Sequence, residues 1–184
     1  MSNLGQRLQE RFGPDGTHWS CLGGNGLKKF CTLIEMAFGK RDNLKIVEIG
    51  THRGVSSCIL ARYGTVETFD IKDWNLRDEV IEFFGMTNRV KFKQIPCGSV
   101  QDGNAKLTNW LKEKTFDLAF IDGNHEYESV EENFEAVKHC GTVIFHDYSR
   151  NNFHEHRTVK FVDSIPEGKV TPLEPFALWQ KDPA

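Results

Sequence analysis

The sequence has 184 residues, 39% of them hydrophobic and 27% charged, which is enough for one well-packed domain and short for two. Its 23 basic and 26 acidic residues give a formal net charge of −3, so nucleic acid is disfavoured as a partner. Five scattered cysteines without a C-x-x-C pair, and no apolar run near the ~20 residues that a membrane helix needs, predict a cytoplasmic protein with no membrane association.

In chain order, a glycine-rich N-terminal segment is predicted for residues 1–26, and a single domain for residues 27–184. That domain opens with a helix in which apolar residues from Leu27 to Phe38 recur at helical spacing. The strands predicted after it are KIVEIG (45–50), TVETFDI (65–71), VKFKQI (90–95), FDLAFID (116–122) and TVIFHDY (142–148). The helices predicted between them are VSSCILARYG (55–64), RDEVIEFFGM (77–86), NAKLTNWLKE (104–113) and YESVEENFEAVKHC (127–140).

Five strands separated by helices indicate an α/β fold, because parallel neighbours need crossover connections and helices usually supply them. The rhythm changes after residue 158, where VKFVDSI (159–165), KVTPL (169–173) and FALWQ (176–180) have the pattern of short, hairpin-type elements. We therefore expect a Rossmann-like, doubly wound, mostly parallel seven-stranded sheet with an antiparallel C-terminal edge.

Polar residues stand at the predicted strand ends, and in an open parallel sheet the ligand crevice lies outside the carboxyl ends of the strands. The residues at these ends, from the first strand to the fifth, are Glu48 and Gly50, Asp70, Gly98 and Ser99, Asp122, and His146 with Asp147. These carboxylates and the histidine are thus expected to converge.

The first strand is followed by a glycine turn, Gly50-x-x-x-Gly54. Asp70 comes 20 residues after Gly50, the separation at which an acidic side chain meets ribose hydroxyls. His52 stands where a dinucleotide fingerprint requires glycine, and Glu48 suits a cationic amino group better than a pyrophosphate. The alternative is that both glycines only permit a tight strand-to-helix turn.

Four stretches of the chain, VEIGTHRGVSS, ETFDI, FIDGNHEYESVEENFE and GTVIFHDY, resemble class I S-adenosylmethionine-dependent methyltransferases. The similarity is greatest to the group related to macrolide-sugar O-methyltransferases and cephalosporin hydroxylase, and it covers residues 27–148.

The resemblance implies the residues that bind S-adenosylmethionine. Asp70 would bind the ribose. Trp74 is a separate candidate, proposed from its position just past Asp70, where a ring would cover the adenosine. The full set of implied cofactor contacts is Glu48, Gly50, Thr51, His52, Gly54, Ser56, Asp70, Gly98, Ser99 and Asp122.

The resemblance also implies a metal site formed by Asp122, His146 and Asp147. Metal-dependent relatives often carry a carboxylate at the position of His146, and a neutral imidazole is a poorer ligand for Mg²⁺ than oxygen is. The site would therefore hold a softer ion such as Mn²⁺ or Fe²⁺, or no metal at all, with Mg²⁺ as the remaining alternative. The predicted catalytic residues are Asp122, His125 and His146, with either histidine acting as general base where no metal is bound.

The leading hypothesis is thus a methyltransferase that acts on oxygen of a small molecule or sugar. Two alternatives remain open: a metal-dependent oxygenase-like enzyme on the same fold, and a cofactor-binding protein without turnover. The chain is short of lid segments, so a partner subunit of a homo-oligomer could complete the substrate pocket.

Overall fold

The computed structural model describes residues 4–12, 25–95, 99–150 and 156–182. Met1–Lys40 and Arg41–Ala184 form two compact units. The smaller unit contains helix α1, Leu4–Phe12, and helix α2, Asn25–Phe38. Helix α1 was not predicted from the sequence, and the boundary predicted between residues 26 and 27 falls inside α2 because Gly26 continues its first turn. The domain limits remain a prediction.

The larger unit contains seven strands and five helices within the described residues. The strands are β1 Leu44–Ile49, β2 Gly64–Asp70, β3 Val90–Gln94, β4 Leu118–Ile121, β5 Thr142–Phe145, β6 Lys169–Leu173 and β7 Phe176–Gln180. The helices are α3 Val55–Leu60, α4 Arg77–Phe83, α5 Val100–Leu111, α6 Tyr127–Val137, which continues as a 3₁₀ turn over Lys138–Cys140, and α7 His156–Ser164.

The seven strands form one sheet in the order β3-β2-β1-β4-β5-β7-β6. Strands β1 to β5 run parallel, and β7 runs antiparallel to both of its neighbours, β5 and β6. The predicted fold class is confirmed, with β7 as the reversed strand. The order changes direction between β1 and β4, and in open sheets of this kind the ligand crevice lies at such a switch point.

The central strands are buried on both faces, because helices cover both sides of a parallel sheet. In β1 the consecutive residues Ile46, Val47, Glu48 and Ile49 are all buried. An acidic side chain therefore occupies a position in the sheet that otherwise accepts apolar residues, which marks Glu48 as the unusual member of the strand.

Residues 159–165 were expected to form a hairpin-type element, and this prediction is wrong. They lie mostly in α7, His156–Ser164, and the buried residues Thr158, Phe161 and Val162 follow helical spacing. The β-branched valines favoured a strand, but tertiary packing overrides so short a local preference.

None of the helices in the described part of the chain has the length and apolar character needed to cross a lipid bilayer.

Candidate active site

Strained backbone gathers at the carboxyl edge of the sheet. The non-glycine residues with positive φ in the described ranges are His52 (φ 47°), Leu76 (φ 68°) and Asp147 (φ 54°). They belong to the loops that follow β1, β2 and β5, respectively. Left-handed backbone is uncommon for such residues and clusters at functional sites, so these loops are held in place by their surroundings.

Glycine is required at the two positions of the turn after β1 for different structural reasons. A Cβ atom at Gly50 would lie 2.0 Å from the carbonyl oxygen of Asp122, so the backbone of the loop after β4 excludes any side chain. Gly54 has φ 76° and caps the start of α3 in the left-handed conformation. Packing and backbone geometry therefore account for both glycines, and their contact with a cofactor remains a prediction.

Glu48 is fully buried beneath this turn. Its Oε2 accepts hydrogen bonds from Ser57 Oγ and from Thr68 Oγ1, the latter at 2.6 Å. The hydroxyl of Thr51 lies 2.6 Å from that of Thr68 and extends the network to the turn itself. Oε1 of Glu48 has no hydrogen-bond partner within the described part of the chain. One buried carboxylate oxygen is thus available to a donor that the protein does not supply.

The surroundings of Glu48 favour its protonated form. Burial raises the pKa of Glu48 to about 7, the nearby hydroxyls of Ser56, Ser57 and Thr68 oppose the rise, and the charge of Asp122 adds to it. A carboxyl group with this pKa changes its charge readily near neutral pH when a cation approaches.

Asp70 joins the turn after β1 to the loop after β2. Its Oδ2 accepts hydrogen bonds from the backbone N–H of His52 at 2.9 Å and from Trp74 Nε1 at 3.2 Å. Its Oδ1 accepts from the backbone N–H of Lys72 at 3.1 Å. The rings of His52 and Trp74 meet edge to face with centroids 4.4 Å apart. Trp74 therefore lies beside Asp70, as a cover for a ligand there would require.

One of the two predicted adenine contacts, Ser99, lies at the start of α5. Ser99 is the N-cap of this helix, and its Oγ accepts a hydrogen bond from the backbone N–H of Asp102 at 3.2 Å. Gly98 lies outside the described residues. The capping role explains Ser99 without a ligand, and its contact with adenine stays a prediction.

The three predicted metal ligands come together at the ends of β4 and β5. His146 Nδ1 lies 2.8 Å from Asp122 Oδ1 and 3.1 Å from Asp147 Oδ1. One potential ligand atom from each residue lies within 4.8 Å of the other two. His146 is buried, and both aspartates are partly accessible. Two carboxylates and one imidazole on a half-open edge form a donor set that suits a divalent cation.

His125 shares Asp147 with His146. Its Nε2 lies 2.9 Å from Asp147 Oδ2, and 45% of its side chain is exposed. Burial lowers the pKa of His125, but the hydrogen bond and charge of Asp147, together with the charge of Asp122, outweigh it and raise the pKa overall. Burial raises the pKa of Asp147, but the hydrogen bond from His125 and the charges of both histidines lower it overall. The result is an oriented, accessible imidazole at the rim of the site.

Ser57 and Thr68, the hydrogen-bond partners of Glu48, were not predicted from the sequence. Thr68 is paired with Glu48 in the parallel register of β1 and β2. The sequence does show that Thr68 stands two residues before Asp70, so the side chains of Thr68 and Asp70 lie on the same face of β2. The contact between Thr68 and Glu48 could be predicted only if the strand order and the register of β1 and β2 were known.

Comparison with known proteins matches residues 47–148, more than half of the chain, to the family described as "Methyltransferase domain". Comparison with proteins of curated function finds no match.

Several solved structures have a similar fold. An O-methyltransferase from Bacillus cereus, in complex with S-adenosylhomocysteine, has 20% identity and a TM-score of 0.62, with 97% of each chain covered. MycE methyltransferase from the mycinamycin biosynthetic pathway, in complex with Mg, S-adenosylhomocysteine and mycinamycin VI, has 18% identity and a TM-score of 0.59. The match covers 96% of this chain and 54% of MycE, so this chain spans about half of that protein.

An rRNA methylase from Streptococcus thermophilus has 14% identity and a TM-score of 0.56, with 82% of this chain and 94% of the methylase covered. At these identities the similarity establishes the fold and leaves the acceptor open. The sheet order, the site at the switch point and the family match agree, and the chain belongs to the methyltransferase-domain family.

Proposed function

We propose that this chain is an S-adenosylmethionine-dependent methyltransferase that methylates oxygen of a small molecule or sugar, with assistance from a divalent metal ion. The observation that carries the proposal is the fully buried Glu48, whose Oε1 has no hydrogen-bond partner in the described residues. It lies at the sheet edge that also holds Asp70 and the cluster of Asp122, His146 and Asp147.

The chemistry of Glu48 fits the amino acid end of S-adenosylmethionine. A buried carboxylate with a free oxygen is costly alone and is stabilised by a cationic donor. The cationic ammonium group of the methyl donor is such a partner.

The carboxylate of Asp70 can accept a ribose hydroxyl. An ionised carboxylate offers about four acceptor sites, and three N–H groups, from His52, Lys72 and Trp74, use Asp70 here. A ribose hydroxyl would take the remaining site or replace the longer bond from Trp74.

Methyl transfer requires the acceptor oxygen, the methyl carbon and the sulfur to lie in line, and it requires no covalent intermediate with the protein. The acceptor oxygen attacks the methyl carbon, the carbon–sulfur bond breaks, and its electron pair passes to sulfur, which leaves S-adenosylhomocysteine. The protein must hold the acceptor opposite the sulfur at attack distance and exclude water. The loops after β4 and β5 are the elements next to the cofactor turn that can perform this task.

The acceptor hydroxyl must also lose its proton. His125 is suited to receive it, because its imidazole is accessible and is oriented by Asp147 at 2.9 Å. Asp147 would also stabilise the imidazolium that forms.

Asp122, His146 and Asp147 would hold the metal ion. Two carboxylates and one imidazole suit Mn²⁺ or Fe²⁺ better than Mg²⁺, which prefers oxygen ligands. When bound, such an ion lowers the pKa of a nearby hydroxyl. Oxygenases with non-haem iron generally use two histidines and one carboxylate, so the set formed here favours methyl transfer over oxygenase chemistry.

The acceptor class rests on resemblance. The motifs are similar to those of macrolide-sugar O-methyltransferases, and MycE, which shares the fold, was crystallised with mycinamycin VI. A small hydroxylated molecule is therefore the proposed acceptor, and a homo-oligomer is the proposed way to complete its pocket. A cytoplasmic location and the absence of a nucleic-acid partner remain predictions.

Calorimetric titration with S-adenosylhomocysteine, with and without EDTA, tests cofactor and metal together. We expect saturable binding, and we expect Asp70→Ala to weaken it at least tenfold, on the order of the loss of a charged hydrogen bond. The matched control is Asp117→Ala, which removes another carboxylate bound to a backbone N–H, that of Lys45, at the opposite end of the strands. Absence of binding by the folded wild-type protein would overturn the proposal.

A further inference from the structure

Arg77 is a buried arginine next to the candidate cofactor site. It is the first residue of α4, Arg77–Phe83, and is only 8% exposed. Its guanidinium carbon lies 3.6 Å from the ring centroid of Phe92 on β3. A Cβ atom built on Gly54 would lie 3.4 Å from Arg77 Cγ, so the stem of the arginine packs against the cofactor turn. A charge buried in this way is costly unless it is paired.

Two aspartates on opposite sides pair with this guanidinium. Nη1 lies 2.5 Å from Asp73 Oδ1, while Nη2 lies 2.9 Å and Nε 3.0 Å from Asp78 Oδ1. Asp73 belongs to the loop after β2, and Asp78 belongs to α4 itself. Arg77 therefore joins the loop to the helix, to β3 and to the turn after β1.

The loop that Arg77 holds carries Trp74. Asp73 directly precedes Trp74, whose Nε1 donates to Asp70 Oδ2 at 3.2 Å. The amino group of Lys72 lies 4.1 Å from the Trp74 ring centroid, and Leu76 closes the loop with left-handed backbone. The ion pair between Arg77 and Asp73 thus connects the buried guanidinium to the residue immediately before this tryptophan.

We infer that Arg77 is a positioning residue of the cofactor site: through Asp73 it fixes the loop of residues 71–76, so that Trp74 lies across Asp70 and covers the ribose and adenine of the methyl donor. The inference rests on the proposed function, because it assigns the ligand of this loop. Arg77 acts through Asp73 and Trp74, and it sets cofactor affinity rather than the rate of the chemical step.

The two aspartates provide a matched pair of variants. Both carboxylates are exposed, with 60% of the Asp73 side chain and 78% of the Asp78 side chain accessible, so replacement of either by asparagine leaves the core intact. Both replacements remove one ion pair with the same guanidinium. Only Asp73→Asn removes the contact that restrains the loop.

The experiment measures S-adenosylhomocysteine affinity by calorimetry for the wild-type protein, Asp73→Asn, Asp78→Asn, Arg77→Lys and Asp70→Ala. We expect Asp73→Asn to weaken binding roughly three- to fivefold, the upper part of the range for one exposed ion pair, while Asp78→Asn stays within about twofold of wild type. Arg77→Lys keeps the charge but loses the planar fork and the stack on Phe92, so it is expected to weaken binding like Asp73→Asn. Hydrogen exchange in residues 71–76 should rise in these two variants and not in Asp78→Asn.

Equal affinities for Asp73→Asn and Asp78→Asn, or unchanged exchange in the loop, would overturn the inference. Its failure is distinguishable from that of the proposed function. If the wild-type protein binds S-adenosylhomocysteine and Asp70→Ala does not, the proposed function stands whatever the Asp73 variant does. If the folded wild-type protein does not bind it, the proposed function fails and the positioning role with it.

Discussion

Gly50 and Asp122 are in backbone contact: a Cβ atom at Gly50 would lie 2.0 Å from the carbonyl oxygen of Asp122. The backbone N–H of Asp122 also donates to the carbonyl of Ile49 at 2.8 Å. The turn that precedes α3 and the loop that carries the first candidate metal ligand are therefore packed as one unit. Any change that separates them disturbs both halves of the site.

The first prediction is that Gly50→Ala severely destabilises the protein. A methyl group at 2.0 Å from a backbone oxygen cannot be relieved by a side-chain movement, so strands β1 and β4 must shift. We expect a loss of about 3 kcal/mol or more in the free energy of unfolding, or failure to fold. Urea denaturation followed by circular dichroism measures it.

The matched control for this change is Gly85→Ala. Gly85 also has positive φ, at 68°, but a Cβ atom there would meet nothing within 4 Å. Only the cost of left-handed backbone remains, about 1 to 2 kcal/mol. Similar losses for the two variants would show that the contact with Asp122 does not constrain Gly50.

The second prediction concerns stability and pH. The folded-state pKa of Glu48 is raised to about 7 from 4.5, so between these values the folded protein retains a proton that the unfolded chain has lost. Stability therefore falls as pH rises from 4.5 to 7 and levels off above 7, by about 3 kcal/mol for this group. Denaturation of the wild-type protein and of Glu48→Gln across pH 5 to 8 measures the difference. A constant difference between the two across that range would contradict the prediction.

The third prediction follows from the same group and concerns ligand binding. A cationic amino group near Oε1 favours the ionised form of Glu48, so binding of S-adenosylhomocysteine releases a proton below pH 7. Affinity should then increase as pH rises from 5 to 7, with little change above it. Calorimetry in buffers of different ionisation enthalpy counts the released proton. Glu48→Gln should bind more weakly and release none, and proton release that survives in Glu48→Gln would assign it to another group.

Much of the fold was predictable because strong local signals agree with the tertiary structure. Short apolar runs predicted β1 to β5, and the amphipathic segments around them predicted α2 to α6. The topology of a parallel sheet then placed Asp70, Asp122 and Asp147 at the carboxyl ends of the strands. The prediction failed at α7, where β-branched residues lie in a helix, and at α1 among the first residues of the chain.

The finer contacts of the site depend on information that a linear pattern lacks. The contact of Glu48 with Thr68 depends on strand register, and the requirement for glycine at position 50 depends on the approach of a loop more than 70 residues away. The pairing of Arg77 with Asp73 depends on the path of a loop without periodicity. Such contacts arise from tertiary packing and not from local propensity.

The fourth prediction tests the metal cluster by removal of one ligand. His146 contributes the nitrogen between Asp122 and Asp147, so His146→Ala should weaken Mn²⁺ binding at least about tenfold. His139→Ala is the control, because the Nε2 of this histidine lies 3.0 Å from the carbonyl oxygen of Lys114, away from the cluster. Calorimetric titration of each variant with MnCl₂ provides the comparison. Equal Mn²⁺ affinity in the two variants would exclude His146 as a ligand.

The fifth prediction separates catalysis from binding through His125. This imidazole is oriented by Asp147 but belongs neither to the glycine turn nor to the three-residue metal cluster. His125→Asn should therefore lower kcat by about 10²- to 10⁴-fold, the usual contribution of a general base, while S-adenosylhomocysteine affinity stays within about twofold. Radiolabelled methyl transfer to an acceptor found among small hydroxylated molecules measures kcat. A proton acceptor acts in the transition state and contributes little to the binding of the product S-adenosylhomocysteine. A loss of cofactor affinity with unchanged kcat would therefore place His125 in the binding site instead.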